Sequence, residues 1–305
     1  MDLSRSPTIY LIGNPTRDKI LIGEQVVETL GGTVLYAALL MSKLGCSVAV
    51  VGKGDRHMRD VMSGNGIQAR YFQTSSRVTE FENDYRGGRR RQKAKAGETI
   101  TLKDVPPEAF AADALLIGAV LREVTFDIVA APRQGVLMLD AQGFLRRLSP
   151  GGAVSLHFES DARRSIRRGD LLKVDEQEAR VISGTGDIHL ALQRLYRMGP
   201  RVVLLTLGKR GAWVYEGRQP LFIEAPVVDT VDPTGAGDVF TAAFVIKYLE
   251  GVGLEKAARF AAAAAALSTR SFGTSGIPYL SEINSCLRGI NILPGRRGPG
   301  ERSGR

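Results

Sequence analysis

Short runs of aliphatic and β-branched residues recur along the chain, and stretches with helical periodicity separate them. Successive positions within each run are apolar, which is typical of strands buried on both faces of a sheet. The runs are TIYLIG, SVAVVGK, ALLIGAV, GVLMLDAQG, DLLKVD and RVVLLTLG. Helices are predicted between them, including residues 34–44, 188–198 and 239–249. This alternation predicts an α/β fold whose central sheet is mostly parallel and covered by helices on both sides.

Several polar or glycine-rich positions directly follow predicted strands. Asp140, Asp175, Gly208 and the turn at residues 235–238 all occupy such places. Because ligands of parallel sheets bind at the carboxyl ends of the strands, we expect these positions to lie along one edge of the sheet.

The alternation breaks between residues 77 and 102, where the sequence has no helical stripe. Two extended arms flank the pair Gly87-Gly88, which is a hairpin signal, and DKILIGEQVVETLGG near the N-terminus predicts two more short strands. These segments, about residues 15–30 and 70–102, predict a small second β-sheet that projects from the main domain. The pattern leaves open whether this sheet is a lid over a binding site or a surface decoration.

The chain has 305 residues, 44% of them hydrophobic, which suffices for one large α/β domain, predicted here over residues 1–290. No apolar run is long enough to span a bilayer, and Cys46 and Cys286 are too few for a disulfide framework. These features predict a cytoplasmic protein with no membrane partner.

The formal net charge of +9 arises largely from two segments, RGGRRRQKAKAG and the C-terminal LPGRRGPGERSGR. The second segment lacks apolar periodicity, so residues 291–305 are predicted to form a basic, disordered tail. Basic charge alone is weak evidence for a nucleic-acid partner. Because no helix-turn-helix, zinc-finger or aromatic RNA-binding pattern accompanies it, we expect no nucleic-acid partner.

Several common catalytic motifs are absent from the sequence. It contains no GxxxxGK[ST] phosphate loop, no GxGxxG after the first strand and no GxSxG nucleophile turn. The histidines, His57, His157 and His189, are too scattered for metal-ligand spacing. These absences argue against P-loop enzymes, simple dinucleotide-binding enzymes and serine hydrolases.

The stretch VVDTVDPTGAGDVFTAAFVIKYLEG leads from an extended segment, through a glycine-rich turn, into an apolar helix. The N–H groups of Gly235, Ala236 and Gly237 at the helix start are suited to hold the oxygens of a phosphoryl group, forming an anion hole. Asp238 follows directly, and its carboxylate either caps the helix or accepts the proton of an attacking hydroxyl. A cap does not need two glycines before it, so the pattern favours a catalytic base.

The segment DPTGAGD, residues 232–238, resembles the signature of the ribokinase-like (PfkB) carbohydrate kinases, in which Gly-Ala-Gly precedes the catalytic Asp. Further segments agree in the same order. GGTVLYAALLMSKLGCSVAVVGKGD resembles the N-terminal signature, KVDEQEA the Asn-x-x-Glu element, and TLGKRG the T-x-G-x-x-G nucleotide loop. The resemblance covers about residues 8–285. It implies a three-layer α/β sandwich with a small β-sheet lid.

The resemblance implies an ATP-dependent phosphotransferase that acts on a hydroxyl of a sugar or cyclic polyol. Asp238 would be its base and the turn at residues 235–237 its anion hole. The implied nucleotide-binding residues are Asp175, Glu178, Thr206, Gly208, Gly211 and Gly273. Glu178 would hold Mg²⁺ through water, and Asp232 would bind a monovalent cation such as K⁺. Asp175 replaces the usual Asn, which adds a negative charge that Mg²⁺ would balance.

On the acceptor side, the resemblance assigns Asp18, Gly31 and Gly32 to the hydroxyls of the substrate. Tyr36 stands where most relatives have Asn. Gln142 and Arg146, in LDAQGFLR, are secondary candidates whose alternative is a solvated loop. ETLGG followed by a residue other than Asn, together with LDAQGFLR and VDPTGAGD, is most similar to the inositol-kinase branch. Myo-inositol is therefore the leading substrate, followed by a furanose sugar and then a nucleoside.

Two other classes of function remain open at this point. A binding protein that keeps the fold without catalysis is opposed by the intact turn before Asp238. A nucleic-acid-associated protein would use the cluster at residues 89–91. In the basic hairpin, Arg89, Arg91, Lys93 and Lys95 would alternate on one face of a strand, opposite Arg90 and Gln92. Related kinases pair through such lids, which implies a homodimer.

Overall fold

The computed structural model describes residues 6–84, 86, 91–290 and 292–294. Strands and helices alternate along much of the chain, as the hydrophobic pattern predicts. The strands are β1 (Thr8–Ile12), β2 (Thr16–Ile22), β3 (Gln25–Gly31), β4 (Ser47–Gly54), β5 (Phe72–Thr74), β6 (Thr79–Asp84), β7 (Arg91–Lys95), β8 (Ala114–Ile117), β9 (Val136–Asp140), β10 (Arg146–Leu148), β11 (Val154–Leu156), β12 (Leu171–Asp175), β13 (Val202–Thr206), β14 (Ala212–Tyr215), β15 (Leu221–Ile223) and β16 (Ile292–Pro294). The helices are α1 (Thr33–Lys43), α2 (Arg56–Gly64), α3 (Phe126–Ala130), α4 (Gln142–Leu145), α5 (Ser160–Ile166), α6 (Glu176–Ser183), α7 (Ile188–Tyr196), α8 (Ala236–Leu249), α9 (Leu254–Ser268) and α10 (Leu280–Cys286).

The central sheet has ten strands in the order β16-β15-β14-β13-β12-β9-β8-β1-β4-β5. The six apolar runs of the sequence supply its contiguous middle, from β13 to β4, and every neighbouring pair among them is parallel. Beyond β13, the strands β14, β15 and β16 continue the sheet in antiparallel pairs. The prediction of a mostly parallel sheet is therefore confirmed.

Alternate residues of the central strands pack against different helical layers. On β1, Leu11 belongs to the apolar core that contains α1, α8 and α9, whereas Ile12 belongs to the core that contains α3, α5, α6 and α7. Both side chains are completely buried, and complete burial of such a side chain stabilises a fold by roughly 1.5–3 kcal/mol. The sheet is thus the middle layer of an α/β/α sandwich, which confirms the predicted fold class.

Element boundaries differ from the predicted ones where local contacts intervene. The run ALLIGAV is a strand only as far as Ile117. Beyond it, the N–H groups of Val120 and Leu121 donate to the buried carboxylate of Glu123 at 2.9 and 2.7 Å instead of to a neighbouring strand. The helix predicted over residues 239–249 begins three residues earlier, at Ala236.

A second sheet, in the order β3-β2-β6-β7, confirms the small β-sheet predicted from the two separate segments; we call it the lid sheet. Strand β2 pairs antiparallel with β3 and parallel with β6, which pairs antiparallel with β7. Asp18 and Phe81 are neighbours on its buried face. The basic residues Arg91, Lys93 and Lys95 alternate as exposed positions of β7. Residues 87–90, which include the predicted turn and two arginines, lie outside the described residues.

A short hairpin that the sequence analysis did not predict links the lid sheet to the main domain. Strands β10 and β11 pair antiparallel with each other. The N–H of Ala94 in β7 donates to the carbonyl of Gly152 in the hairpin turn at 2.8 Å. Leu148 and Val154 pack against Phe81 of the lid sheet. The lid sheet is therefore attached to the sandwich through residues that follow β9 as well as through its own ends.

The segment predicted as a tail begins with an ordered element. Residues Ile292–Pro294 form β16, which pairs with β15 at the edge of the central sheet. Residue 291 and residues 295–305 lie outside the described residues. In the part of the chain that the structure describes, every helix is too short or too polar to cross a lipid bilayer.

Candidate active site

Polar side chains gather at the carboxyl ends of three neighbouring strands, as the sequence predicts. Asp140 ends β9, Asp175 ends β12 and Thr206 ends β13. Asp175 and Thr206 are direct partners in the register of the sheet. Lys173, two residues before the end of β12, places its Nζ 3.1 Å from Oδ2 of Asp140.

The turn before α8 has a conformation that requires glycine. Gly235 has φ of 78°, in the left-handed region that favours glycine. A Cβ on this residue would also lie 2.4 Å from the ring of Tyr36, closer than non-bonded atoms approach. Tyr36 is 1% exposed. Its ring therefore supports the turn from within the core, and the assignment of Tyr36 to the acceptor site stays a prediction.

The N–H groups at the start of α8 differ in whether they are free to bind an anion. The N–H of Ala236 donates to the carbonyl of Pro233 at 3.3 Å. Ala236 therefore contributes to an anion site only after giving up this bond. The N–H groups of Gly237 and Asp238 lie in the first turn, where an α-helix offers no carbonyl partner of its own. These groups, with the positive end of the helix dipole, make the start of α8 favourable for an anion.

Asp238 is held by a chain of hydrogen bonds from two other elements. The hydroxyl of Thr33, at the start of α1, bonds its carboxylate. The side-chain amide of Gln142, at the start of α4, donates to the Thr33 hydroxyl at 2.5 Å. Asp238 keeps part of its surface exposed to the site, yet the surrounding protein displaces water from its carboxyl. This burial, with the nearby negative charge of Asp140, raises the pKa of Asp238 to about 6.

Arg146 connects the base to the lid sheet. Its guanidinium lies 5.4 Å from the ring centroid of Phe81, within the range of a cation–π contact. Its positive charge acts on Asp238 and opposes the rise in the pKa of that carboxyl. The structure therefore brings Arg146 and Gln142, the secondary candidates of the sequence analysis, to the same place as Asp238.

Asp175 and Glu178 cap helix α6 reciprocally. The carboxylate of Asp175 accepts the N–H of Glu178 at 2.7 Å, and that of Glu178 accepts the N–H of Asp175 at 2.8 Å. This capping box gives both residues a structural role that the sequence analysis did not anticipate. Glu178 is 2% exposed. Its burial, with the charge of Asp175 adding to the effect and that of Lys173 opposing it, raises the pKa of Glu178 to about 7.

The predicted nucleotide loop connects β13 to β14 beside the start of α6. Gly208 and Gly211 both have positive φ, at 58° and 119°. A Cβ on Gly211 would lie 2.1 Å from the carbonyl oxygen of Ile223, so packing alone requires glycine there. Arg210, in the same loop, forms an ion pair with Glu176 of α6. The loop is thus joined to the helix that carries Glu178.

Asp232 joins the turn before α8 to the loop after α9. It is 1% exposed, and its two oxygens accept the N–H of Thr234 at 2.9 Å and of Gly273 at 3.0 Å. Gly273 has φ of 55°, and a Cβ there would meet the Thr29 hydroxyl of β3 at 2.4 Å. The predicted nucleotide loop at Gly273 therefore lies next to the lid sheet, and Asp232 fixes its position.

On the acceptor side, Asp18 lies on the buried face of β2 and is 6% exposed. Its carboxylate accepts the hydroxyl of Thr16 at 2.6 Å. A Cβ on Gly31 would lie 2.4 Å from this carboxylate, so glycine lets the two strands pack closely. Gly32, with φ of 90°, caps α1 directly before Thr33. Gly31 and Gly32 thus connect β3 of the lid sheet to Thr33, the residue that bonds Asp238.

The sequence analysis missed Lys173 and Thr33. A signal for Lys173 was present, because a lysine in the middle of DLLKVD interrupts a run that is otherwise apolar on both faces. Thr33 had no comparable signal, since a threonine at the start of a helix is ordinary. Its role depends on the approach of α4 and α8 in the folded chain.

The fold and this arrangement define a class of protein. An α/β/α sandwich with a β-sheet lid, and a carboxylate beside the glycine-lined start of a helix, are the features of a ribokinase-like phosphotransferase that acts on alcohol groups. Residues 141–280 match the model of the pfkB family of carbohydrate kinases. This match covers just under half of the chain, and over that region the chain is similar to the family.

Individual relatives agree with the assignment. Ribokinase of Bacillus subtilis is 28% identical over 293 residues, which cover 90% of this chain and 92% of the relative. Nucleoside kinase of Methanothermobacter thermautotrophicus is 35% identical over 143 residues, which cover 46% of this chain and 45% of the relative. A pyrophosphate-dependent kinase in the ribokinase family, solved with a pyrophosphate analog and myo-inositol, is 26% identical with a TM-score of 0.80 and covers 91% of this chain and 99% of that one. The predicted resemblance to the ribokinase-like kinases, the predicted fold and the predicted enzyme class are confirmed.

Proposed function

We propose that this chain is an ATP-dependent kinase of a cyclic polyol, with myo-inositol as the leading acceptor. The observation that carries the proposal is the position of Asp238. Its carboxylate lies beside the N–H groups that begin α8 and is oriented by Thr33. A proton acceptor next to an anion hole is the minimum that phosphoryl transfer to a hydroxyl requires.

The residues perform the transfer as follows. The acceptor hydroxyl gives its proton to Asp238 while its oxygen forms a bond to the terminal phosphorus of the donor. The bond between that phosphorus and the bridging oxygen breaks, and ADP leaves. The N–H groups of Gly235, Gly237 and Asp238 stabilise the charge that develops on the phosphoryl oxygens, as does that of Ala236 once it is released from Pro233. The pKa of about 6 keeps Asp238 ionised and ready at neutral pH.

A cyclic polyol fits the acceptor side of the site. Asp18 lies on the lid sheet beside Phe81, Arg146 begins β10 over the same Phe81 ring, and Gln142 begins α4. The oxygen and nitrogen atoms of these side chains suit a ring that carries several hydroxyls. A solved structure that covers 91% of this chain holds myo-inositol. A furanose sugar and a nucleoside are the next candidates, because ribokinases and a nucleoside kinase are among the relatives.

Exposed apolar side chains favour a nucleotide as the donor. Val227, Val231 and Phe272 are exposed on the two loops that Asp232 joins. A flat nucleobase offers these side chains an apolar partner, which a bare phosphate chain does not. Thr206, Gly208 and Gly211 would then line the phosphates and ribose.

The cation sites predicted from the family fit the charges present. Asp140, Asp175 and Glu178 surround Lys173, so negative charge exceeds positive charge at the donor end of the site. Among the described residues no group of three acidic, histidine or cysteine side chains is placed to hold a metal ion directly, so Glu178 would hold Mg²⁺ through water. When bound, Mg²⁺ would neutralise phosphate charge. Asp232, already bonded to two N–H groups, would supply an oxygen to K⁺.

Pyrophosphate is a second candidate donor. The neighbour at a TM-score of 0.80 is described as pyrophosphate-dependent. Turnover measured with equal concentrations of ATP and pyrophosphate distinguishes the two. Replacing Phe272 by Ala is expected to raise KM for ATP and leave KM for pyrophosphate unchanged, because only the nucleotide has a base to contact.

The central experiment is a screen of ADP formation over inositols, furanose sugars and nucleosides. We expect the largest kcat/KM with myo-inositol, and mass spectrometry should detect the monophosphate. The Asp238→Asn variant is the matched control for contaminating kinases. If no acceptor in the screen yields a phosphorylated product with either donor, the proposed function is wrong.

The lid sheet is also the proposed site of a homodimer. Val26, on the edge strand β3, is 56% exposed and Ile22 is 37% exposed, so apolar surface is available there. We expect Val26→Glu to shift the protein to a smaller species in light scattering. If Val26→Glu has the same mass as the wild type, the lid sheet is not the dimer interface. Val227→Glu, on a donor-side loop, is the matched control and should leave the mass unchanged.

A further inference from the structure

Lys173 is a charged side chain at a buried position of β12. It is 6% exposed in β12, between Leu172 and Val174, which are fully buried. An apolar residue would continue the pattern of this strand, and lysines are almost never buried unless their charge is paired. The catalytic steps described above do not use this side chain.

The partner of Lys173 is Asp140 on the adjacent strand. Nζ lies 3.1 Å from Oδ2 and 3.4 Å from Oδ1 of the carboxylate, and Asp140 is completely buried. A buried ion pair of this kind contributes little to stability, because desolvation of both charges offsets their attraction. Stability alone therefore does not account for a lysine and an aspartate at these two places.

The ammonium lies directly against the predicted anion hole. A Cβ placed on Gly237 would be 3.4 Å from both Cε and Nζ of Lys173. The side chain thus approaches the same turn whose N–H groups face the donor. Glycine at position 237 leaves the space between the ammonium and that turn open.

The charge of Lys173 persists despite its burial. Burial lowers the pKa of Lys173, but neighbouring carboxylates outweigh this effect and hold it above its ordinary value. Asp140 on β9 makes the largest contribution, followed by those of Glu178, Asp238 and Asp175. The site therefore contains a permanent cation next to the place where phosphoryl charge develops.

We propose that Lys173, oriented by Asp140, is a catalytic residue whose ammonium contacts the transferring phosphoryl group. It stabilises the group from the side of β12, while the N–H groups of the turn before α8 stabilise it from the other side. Fixed positive charge at a transferring phosphoryl group lowers the barrier to its transfer. This inference rests on the proposed kinase function, and it adds a residue that the resemblance did not supply.

The test separates a catalytic charge from a merely structural pair. Lys173→Met alone leaves Asp140 buried and unpaired, so loss of activity could reflect loss of folding. The double variant Asp140→Asn, Lys173→Met removes both charges. Asn keeps the acceptor for the N–H of Gln142, which bonds Asp140 at 3.1 Å. The double variant is therefore expected to fold with a Tm close to that of the wild type.

Kinetics of the double variant decide the proposal. With myo-inositol, D-ribose, D-fructose and cytidine as acceptors, and ATP or pyrophosphate as donor, kcat should fall by roughly 10²–10³-fold while KM for the acceptor changes little. A folded double variant whose kcat is within threefold of the wild type would overturn the proposal and leave Lys173 as a partner of Asp140 only.

Two controls keep the outcome interpretable. Lys173→Gln removes the charge and shortens the side chain but keeps a hydrogen-bond donor at position 173. With a Tm close to that of the wild type, it should show the same loss of kcat as the double variant. Near-normal turnover of Lys173→Gln would also overturn the proposal. A wild-type protein that turns over no acceptor with either donor would instead overturn the proposed function, and this inference with it.

Discussion

The donor side of the site is built on the central sheet, whereas the acceptor side depends on the lid sheet. Glu178 and Asp175 cap a helix that packs on buried parallel strands, and Gly235 rests on the ring of Tyr36. Asp18, by contrast, stands on a four-stranded sheet that is open on one face. The first region is packed into the core of the sandwich, whereas the second is packed on one face only.

The family model covers the donor side of the site but not the lid sheet, which carries Asp18 of the acceptor side. It matches residues 141–280, which contain α8 and the nucleotide loop but not the lid sheet. Phosphoryl transfer makes the same chemical demands whatever the acceptor is, whereas the acceptor pocket must match one particular substrate. Phosphoryl transfer by the donor side and acceptor recognition by the lid sheet therefore need separate experiments.

The largest effect is expected from a change on the donor side, at Asp238. Asp238→Asn keeps the size of the side chain and removes the proton acceptor, so kcat should fall by roughly two to four orders of magnitude. Nucleotide affinity in calorimetry and Tm should change little. Near-normal turnover of this variant would show that Asp238 is a helix cap and not the base.

The next effect tests the acceptor side. Asp18→Ala removes a charged hydrogen-bonding group worth about 1.5–3 kcal/mol, so the affinity for the acceptor should fall roughly ten- to hundred-fold. Binding of ATP should be nearly unchanged. Thr16→Val is the matched control, because Thr16 donates to Asp18 but is not assigned to the acceptor. Equal acceptor affinity of Asp18→Ala and the wild type would remove Asp18 from the site.

A smaller effect concerns the pH dependence of the base. Asp238 must be ionised to accept a proton, so kcat/KM should decline below about pH 6, where the raised pKa of this carboxyl lies. The hydrogen bond from Thr33 lowers this pKa, and Thr33→Val should therefore move the decline to higher pH. Thr33→Ser keeps the hydroxyl and should retain the wild-type profile. A pH profile that Thr33→Val leaves unmoved would contradict the link between the two residues.

The smallest effect concerns movement of the lid sheet. If residues 77–100 close over the acceptor, their amides should exchange more slowly when myo-inositol and a nonhydrolysable ATP analogue are both bound. Strands β12 and β13 should show no change, since they are already buried. Equal exchange of the lid sheet in the free and ternary states would make it a surface decoration and leave the kinase assignment intact.

The sequence predicts this fold well where local pattern and final packing agree. The six strands from β13 to β4 are apolar on both faces because both faces are covered, so the pattern along the chain identifies them directly. Gly235 and Asp238 are likewise predictable, because their conformation and chemistry demand particular residue types. The sequence has no comparable signal for the order in which the strands lie in the sheet.

Other features depend on contacts between distant segments. The hairpin β10–β11 has strands of three residues, none fully buried, and it is stabilised by Ala94, Phe81 and Val120 from elsewhere in the chain. The contact between the ring of Tyr36 and Gly235 is another such feature, because these residues lie far apart in the sequence. The lysine in DLLKVD is visible in the sequence, but its pairing with Asp140, 33 residues away, is not.

The pairing of β16 with β15 has a practical consequence for anyone who shortens this protein. A chain cut at residue 290 would leave β15 at the border of the central sheet, with its outward N–H and C=O groups unpaired. An uncovered border of this kind is a template on which a second molecule adds a strand, and aggregation follows. Trimming the basic segment should therefore begin after Pro294, which preserves the strand that closes the sheet.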